Sequence, residues 1–266
     1  MNPLATTDLP PLSARRFTLA TDLDGTFLGG SGEERKTLYD WIEKNRDSVG
    51  LIFVTGRDPE FIVDMCAQKG LPWPELVVGD VGTTIASVNR EDGRVEPIET
   101  LEQDIATRWQ NRGELVRETL HGHPGLTLQP TPFRYRVSYD LDARSFDPSA
   151  VQKVEELGLD SLVSDNRFFD VLPRGVSKGP SLRRLIEHLA IPEDRVLAAG
   201  DTLNDLSMLI CGLKAVAVGN SEGELIRHVA DLAHVHKARA HGAAGIMEAI
   251  AAFEFHDIPE RSAHAV

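Results

Sequence analysis

Short runs that are apolar at nearly every position recur along this chain, at 17–22, 51–55, 76–78, 196–200 and 215–218. Leu51-Ile52-Phe53-Val54 has no polar position at all, which suits a strand buried on both faces. Between these runs the apolar residues fall three and four apart, as in Leu38, Trp41 and Ile42, and again in Leu182, Leu185, Ile186 and Leu189. That spacing predicts helices with one apolar stripe. Strands alternating with helices predict an α/β chain whose parallel sheet is doubly wound and covered on both faces.

The middle of the chain, about 84–173, follows another pattern and reads as a hairpin-rich α+β unit with helices near 101–120 and 148–157. Its clearest strand is 133–142, where Phe133, Tyr135, Val137, Tyr139 and Leu141 alternate with Arg134, Arg136, Ser138, Asp140 and Asp142. A period of two predicts a strand with one face on a core and the other in water. An inserted sheet with Arg134, Arg136, Ser138 and Asp140 on its wet face reads as a lid over a polar substrate.

Composition narrows the setting. The chain has 266 residues and a formal net charge of −13, which argues against a nucleic-acid partner, since that needs a clustered basic surface. The same charge repels anions at long range, so a phosphate site here needs local cations or a metal. No apolar stretch is long enough for a membrane span. With only two cysteines, Cys66 and Cys211, no disulfide framework is implied, and a reducing cytoplasm is the expected location. Residues 1–15, with Pro3, Pro10 and Pro11, read as a disordered lead, and 257–266 as a frayed tail.

The candidate chemistry lies where the apolar runs end. The first ends in Asp22-Leu23-Asp24-Gly25-Thr26, two carboxylates followed by a glycine that lets the backbone turn back on a ligand. The second ends in Thr55-Gly56-Arg57, a hydroxyl beside a glycine. Val176-Ser177-Lys178-Gly179 opens a helix with a cation, and the run at 196–200 leads into Gly200-Asp201-Thr202-Leu203-Asn204-Asp205. Ligands of open α/β sheets bind beyond the carboxyl ends of the strands, so these groups converge on one crevice. A carboxylate can attack phosphorus only if the like charges are screened. Hard oxygen ligands such as Asp22 and Asp201 select Mg²⁺ for that task. Asp22 then reads as the nucleophile and Asp24 as the acid that protonates the leaving oxygen and later activates water. Thr55 and Lys178 read as stabilisers of charge on the phosphoryl oxygens. Asp205 and Asn204 read as groups that orient metal-bound water or Lys178.

The four motifs, in this order, resemble those of haloacid-dehalogenase-type phosphatases. The segment between Asp22 and Thr55 is too short to hold an inserted domain, whereas that between Thr55 and Lys178 is ample for one. Within that superfamily the chain, from about Phe17 to Phe255, is similar to the sucrose-phosphate and mannosylfructose-phosphate phosphatases. The likeness rests on Val54-Thr55-Gly56-Arg57, Ser138-Tyr139-Asp140-Leu141-Asp142, Asp170-Val171-Leu172-Pro173 and His241-Gly242-Ala243-Ala244-Gly245-Ile246. The resemblance implies a doubly wound, Rossmann-like catalytic core at 16–84 and 174–256, with an α+β specificity cap at 85–173. It implies Mg²⁺-dependent phosphate release from a phosphorylated disaccharide, with metal ligands among Asp22, Asp24, Asp201 and Asp205. Gly56, Arg57, Arg134, Arg136, Ser138, Asp140 and Asn204 would face the substrate, and a glycosyltransferase that makes the sugar phosphate is the implied partner. Asp58-Pro59 departs from the Ser and aromatic that tend to follow Thr-Gly-Arg in these relatives. Other readings stay open: a phosphatase for a glycosyl phosphoglycerate or a general hexose phosphate, a phosphosugar mutase, and a silent sugar-phosphate-binding regulator.

Three further signals point away from chemistry. His121/His123 and His234/His236 lack a third ligand at metal spacing and read as loop or strand-edge histidines. Cys66, spaced helically with Phe61, Ile62 and Met65, reads as a small buried hydrophobe. Gly79-Asp80-Val81-Gly82 is too short for a dinucleotide fingerprint. Loops near Ser87 and Pro173 are the expected lid hinges.

Overall fold

The apolar run Phe17–Thr21 forms β1, and every residue in it is buried. Helix α1 (Gly32–Lys44) follows, started by a capping box in which Ser31 and Glu34 satisfy each other's backbone amides. Then come β2 (Val49–Val54), α2 (Glu60–Lys69), β3 (Leu76–Gly79), β4 (Thr84–Val88) and β5 (Val95–Pro97). The next stretch holds α3 (Glu99–Trp109), α4 (Gly113–Thr119), β6 (Leu126–Leu128), β7 (Val137–Leu141), α5 (Ser149–Glu156), β8 (Leu159–Ser164) and β9 (Phe168–Pro173). The chain closes with α6 (Lys178–His188), β10 (Val196–Gly200), α7 (Leu206–Leu209), β11 (Lys214–Ala217), α8 (Gly223–Val229), β12 (Val235–Lys237) and α9 (Gly242–Ala252). This computed structural model describes residues 9–164 and 166–258.

The main sheet has eight strands in the order β12-β11-β10-β1-β2-β3-β4-β5. From β12 to β3 the pairings are parallel, and β4 and β5 extend the sheet as an antiparallel edge. Side chains alternate between two buried clusters, as a strand demands. Phe17, Leu19, Leu51 and Phe53 pack on the side of α1, α2 and α9, whereas Ala20, Ile52 and Val54 face α6, α7 and α8. The chain winds outward from β1 in one direction through β2 and β3, and in the other through β10 and β11. The gap between β1 and β10 is therefore the topological switch point, where ligands of such sheets bind.

A second, four-stranded antiparallel sheet has the order β6-β7-β9-β8. It has a core of its own, built from Trp109, Val116, Tyr139, Val154, Phe169 and Val171. Helix α3 joins the two units, because Leu101 and Ile105 pack with the main sheet and Trp109 with the second.

Several expectations are corrected here. Residues 84–97 belong to the main sheet, so the inserted unit starts later than 85. Ser87 lies within β4 and is no hinge loop. The helix expected near 101–120 is two helices, broken at Gln110 and Asn111, both with positive φ. The long strand expected at 133–142 is ordered as a strand only over Val137–Leu141. Its polar face is not uniformly wet: Arg134 and Asp140 are exposed, but Arg136 and Ser138 are buried. Within the expected lead, Leu12–Ala14 makes a helical turn, and Arg15 is buried against Glu75 at 2.7 Å. Residues 1–8 lie outside the described residues. So does the tail from 259, while Asp257 still accepts a hydrogen bond from Trp41 Nε1 through its carbonyl.

Candidate active site

Strand β1 delivers Asp22 to the switch point with extended backbone, and the chain then coils through Leu23–Phe27. Gly25 makes this turn possible: its φ is 79°, and an added Cβ would lie 2.1 Å from Asp201 Oδ2. Strand β10 delivers Asp201 from the other side, and the amide of Asp22 donates to the carbonyl of Ala199 across the gap. Helix α9 supports the coil from below, close enough that a Cβ on Gly242 would meet the backbone of Gly29 at 2.1 Å. This contact accounts for the glycine at 242, whereas a Cβ on Gly245 would meet the Ala240 carbonyl at 2.5 Å.

Lys178, the first residue of α6, is fully buried, and its ammonium donates to Asp22 Oδ1 at 2.7 Å, Asn204 Oδ1 at 2.6 Å and Asp205 Oδ1 at 2.6 Å. These three bonds use all three of its protons. Lys178 is thus placed to aim Asp22 and balance the charge around it, without a proton left for a phosphoryl oxygen. Asp205 is also fully committed, because Oδ2 accepts the amides of Asp201 and Thr202 at 3.0 and 3.1 Å.

Asp22, Asp201 and Asp205 each offer an oxygen, all within 4.8 Å of one another. Burial pushes the Asp22 carboxyl up to about 8 against the opposing Lys178 ammonium, with the charges of Asp205 and Asp201 adding to the rise. Burial likewise raises Asp201 to about 7, although the hydrogen bond from Thr26 opposes it. For Lys178, burial disfavours the ammonium, but Asp205 and Asp22 outweigh it and the pKa rises. A cluster of hard oxygen donors whose carboxyls are pushed upward fits a divalent cation, which would take the place of the extra protons. Asp22 and Asp201 suit direct ligation. Oδ2 of Asp22 meets no protein donor among the described residues, and Asp201 shares its oxygens only with Thr26 and Asn220. Asp205, both oxygens occupied, suits an orienting role.

Asp24 departs from expectation. Its carboxylate lies outside that cluster and makes a two-point ion pair with Arg57, with both N···O distances 2.7 Å. Its side chain is therefore corrected from the metal set. Arg57, expected at the substrate, is stacked over Phe61 at 4.7 Å to the ring centre while it holds Asp24. Thr55 is buried at the end of β2, and its hydroxyl oxygen accepts the Arg57 amide at 3.2 Å, so its own proton stays free to donate.

The remaining predicted residues divide. Asn204 joins the cluster through Lys178. The Gly56 carbonyl faces Arg136 at 3.4 Å, and Arg136 also pairs with Asp170 and Asp80. Ser138 donates to Asp170. Arg134 pairs with Glu102, and Asp140 accepts from Gln129, both away from Asp22's cluster.

Sequence reasoning gave no role to three supports. Thr26 donates to Asp201 Oδ1 at 2.7 Å. Asn220 donates to the Gly25 carbonyl at 2.9 Å and accepts the Gly242 amide at 2.8 Å, tying the coil to α9. Asp80 meets Arg136. Thr26 was visible inside the first motif, whereas Asn220, beyond the end of β11, carried no signal apart from following an apolar run.

The parallel sheet with its inserted α+β unit and its strand-end carboxylates define a haloacid dehalogenase-like hydrolase fold. A solved haloacid dehalogenase-like hydrolase from Bacillus subtilis superposes with a TM-score of 0.67, covering 94% of this chain and 95% of its own at 17% identity. More narrowly, residues 15–254 match the model of the sucrose-6F-phosphate phosphohydrolase family, and the chain belongs to that family. The sucrose-phosphatase of Synechocystis sp. PCC6803, solved with sucrose and phosphate, superposes with a TM-score of 0.79 at 25% identity, covering 90% of this chain and 98% of that one. Among curated relatives, the glucosylglycerol-phosphate synthase of Pseudomonas anguilliseptica is 37% identical over 89% of this chain. Sucrose-phosphatase 1 of Nicotiana tabacum is 29% identical over 91%. The chain spans 31% of the synthase's length and 60% of the tobacco phosphatase's. Among the described residues, no helix is long and apolar enough to cross a membrane.

Proposed function

We propose that this protein is a phosphomonoester hydrolase that removes phosphate from a small phosphorylated glycoside, with a disaccharide phosphate as the leading substrate. The observation that carries this reading is the buried ammonium of Lys178, locked between Asp22 and Asp205 beside Asp201. A Mg²⁺ ion held by Asp22 and Asp201 would screen the repulsion between carboxylate and phosphate. Asp22 Oδ2, free of protein donors, attacks phosphorus, and the P–O bond to the sugar breaks as the aspartyl phosphate forms. Lys178 holds the other Asp22 oxygen and keeps the nucleophile aimed. Thr55 donates its hydroxyl proton to a phosphoryl oxygen as charge builds there. Asp24 gives a proton to the departing sugar oxygen, then takes one from the water that cleaves the intermediate. For this it must first exchange its Arg57 partner, since both its oxygens are occupied by the guanidinium.

A second reading has its own support. The 37% likeness is to a glucosylglycerol-phosphate synthase of which this chain spans under a third. A synthase of that name makes a glycoside phosphomonoester, and a segment of phosphatase fold beside it would consume its product. Glucosylglycerol phosphate is therefore the alternative substrate, and a glycosyltransferase is the class of enzyme that supplies either one. The test is phosphate release, with and without Mg²⁺, from sucrose phosphate, mannosylfructose phosphate, glucosylglycerol phosphate and simple hexose phosphates. Preference for one glycoside phosphate by a hundredfold or more supports the proposal and picks its substrate. Metal-independent or absent release across the panel overturns it.

A further inference from the structure

The run Gly79-Asp80-Val81-Gly82 has no part in the chemistry above, yet its backbone is held in an uncommon shape. Asp80 and Val81 have φ values of 50° and 60°, two consecutive non-glycine residues in the left-handed region. For a β-branched residue this is a real outlier, and such strain persists only where the surroundings enforce it, often at functional positions. Here the Asp80 amide donates to the Arg57 carbonyl at 2.9 Å and the Val81 amide to the Thr55 carbonyl at 3.2 Å. Thr84 Oγ1 donates to Asp80 Oδ2 at 2.8 Å. The turn is thus a rigid mount on the end of β2, and it leaves Asp80 Oδ1 facing the second sheet.

What meets that oxygen is Arg136, just ahead of β7. Its Nη2 lies 3.3 Å from Asp80 Oδ1 and 3.4 Å from the Gly56 carbonyl, and its Nη1 lies 3.1 Å from Asp170 Oδ1 in β9. The Phe133 ring lies 3.6 Å from the guanidinium carbon, and the side chain is only 7% exposed. A buried guanidinium is tolerated only when acceptors surround it. Asp170 supplies one from the inserted unit, while Asp80 and Gly56 supply the others from the main unit. The full set exists only when the two units are apposed.

We propose that the Asp80–Arg136 pair is a clasp that registers the inserted unit over the catalytic crevice, with Asp80 a positioning residue for the closed lid. Its consequence for substrate choice rests on the phosphatase reading above; the clasp itself does not. A phosphorylated glycoside needs the lid in register, whereas a small aryl phosphate needs only the Asp22 end of the crevice.

The test is Asp80→Asn, which keeps side-chain size, tolerates a left-handed backbone and removes the charge. Hydrogen–deuterium exchange over 133–139 should speed up at least tenfold, with α1 and α9 unchanged as internal references. The kcat/KM for the glycoside phosphate should fall tenfold or more, mainly through KM, while p-nitrophenyl phosphate hydrolysis stays within threefold. Arg136→Lys, which keeps the charge but lacks the planar fork that gives Asp170 and Asp80 a nitrogen each, should speed exchange in the same segment and keeps the idea testable if Asp80→Asn folds poorly. The double variant should lose no more than the worse single variant. Unchanged exchange in both single variants overturns the clasp, as do equal losses on the glycoside and aryl phosphates. If the wild-type protein hydrolyses neither phosphate, the phosphatase reading fails, and exchange alone still decides the clasp.

Discussion

Replacing Gly25 by alanine should uncouple metal binding from folding. The added Cβ would lie 2.1 Å from Asp201 Oδ2, and contacts under 3.0 Å essentially never occur. The carboxylate oxygen must therefore retreat by at least 0.9 Å, the difference between 3.0 and 2.1. Mg²⁺ requires oxygens at about 2.0–2.1 Å in near-octahedral geometry, with a tolerance of about 0.2 Å. A displacement several times that tolerance should weaken Mg²⁺ at least about tenfold, or about 1.4 kcal/mol. The φ of 79° adds strain of about 1–2 kcal/mol, which in a chain of this size lowers Tm by only a few degrees, about 2–4 °C per kcal/mol. The expected result is a folded protein whose half-saturating Mg²⁺ rises by tenfold or more. Calorimetric titration of the metal-free protein, alongside the Mg²⁺ dependence of phosphate release, would read it. Gly223→Ala, where an added Cβ meets nothing within 4 Å, is the control. A Gly25→Ala protein that binds Mg²⁺ as tightly as the parent would refute the assignment of Asp201 as a ligand.

Two other outcomes are expected. Asp22→Asn should abolish phosphate release, by about 10⁴-fold or more, while its circular dichroism matches the parent; turnover within a hundredfold of the parent would exclude Asp22 as the nucleophile. The metal-free protein should lose stability as pH rises. Asp22 and Asp201, raised from 3.8 to about 8 and about 7, keep protons in the folded state that the unfolded chain has already released. Their stabilising contribution is complete below about pH 4 and is lost as pH climbs through 7 and 8, so the Tm gain from added Mg²⁺ should be larger at pH 8 than at pH 5. Melting curves with EDTA and with Mg²⁺ would show this, and a gain independent of pH would contradict it.

The chemistry at the strand ends was readable because its residues are fixed by local order. Asp22, Thr55 and Asp201 each end a buried apolar run, and a strand of that kind must point its last residue out of the sheet at one edge. The convergence of these residues followed from the winding rule for open parallel sheets. Partnerships were not readable in the same way. That Lys178 is saturated by Asp22, Asn204 and Asp205, or that Asp24 turns to Arg57, depends on distances between segments far apart in the chain. No periodicity encodes such distances. The pair β4 and β5 misled the boundary because a hairpin can extend the sheet it follows or start a new one, and its local pattern is the same in both cases.

Alternation alone fixed which side of β7 is apolar, since Val137, Tyr139 and Leu141 fall on the face that packs the second core. It did not fix what covers the other side. Arg136 and Ser138 look like solvent-facing residues in sequence; Ser138 is buried against Asp170, its neighbour across the same sheet, and Arg136 between Asp170 and Asp80, the latter from the turn after β3 of the main sheet. Period and composition record a residue's own preference for water or core, and they sufficed for the strands, the helices and the acidic crevice. Whether a polar residue is buried depends on partners that folding brings from elsewhere, so the contact of Arg136 with Asp80 was settled only when the two sheets came together, and the Asp24–Arg57 pair only when the ends of β1 and β2 lay side by side.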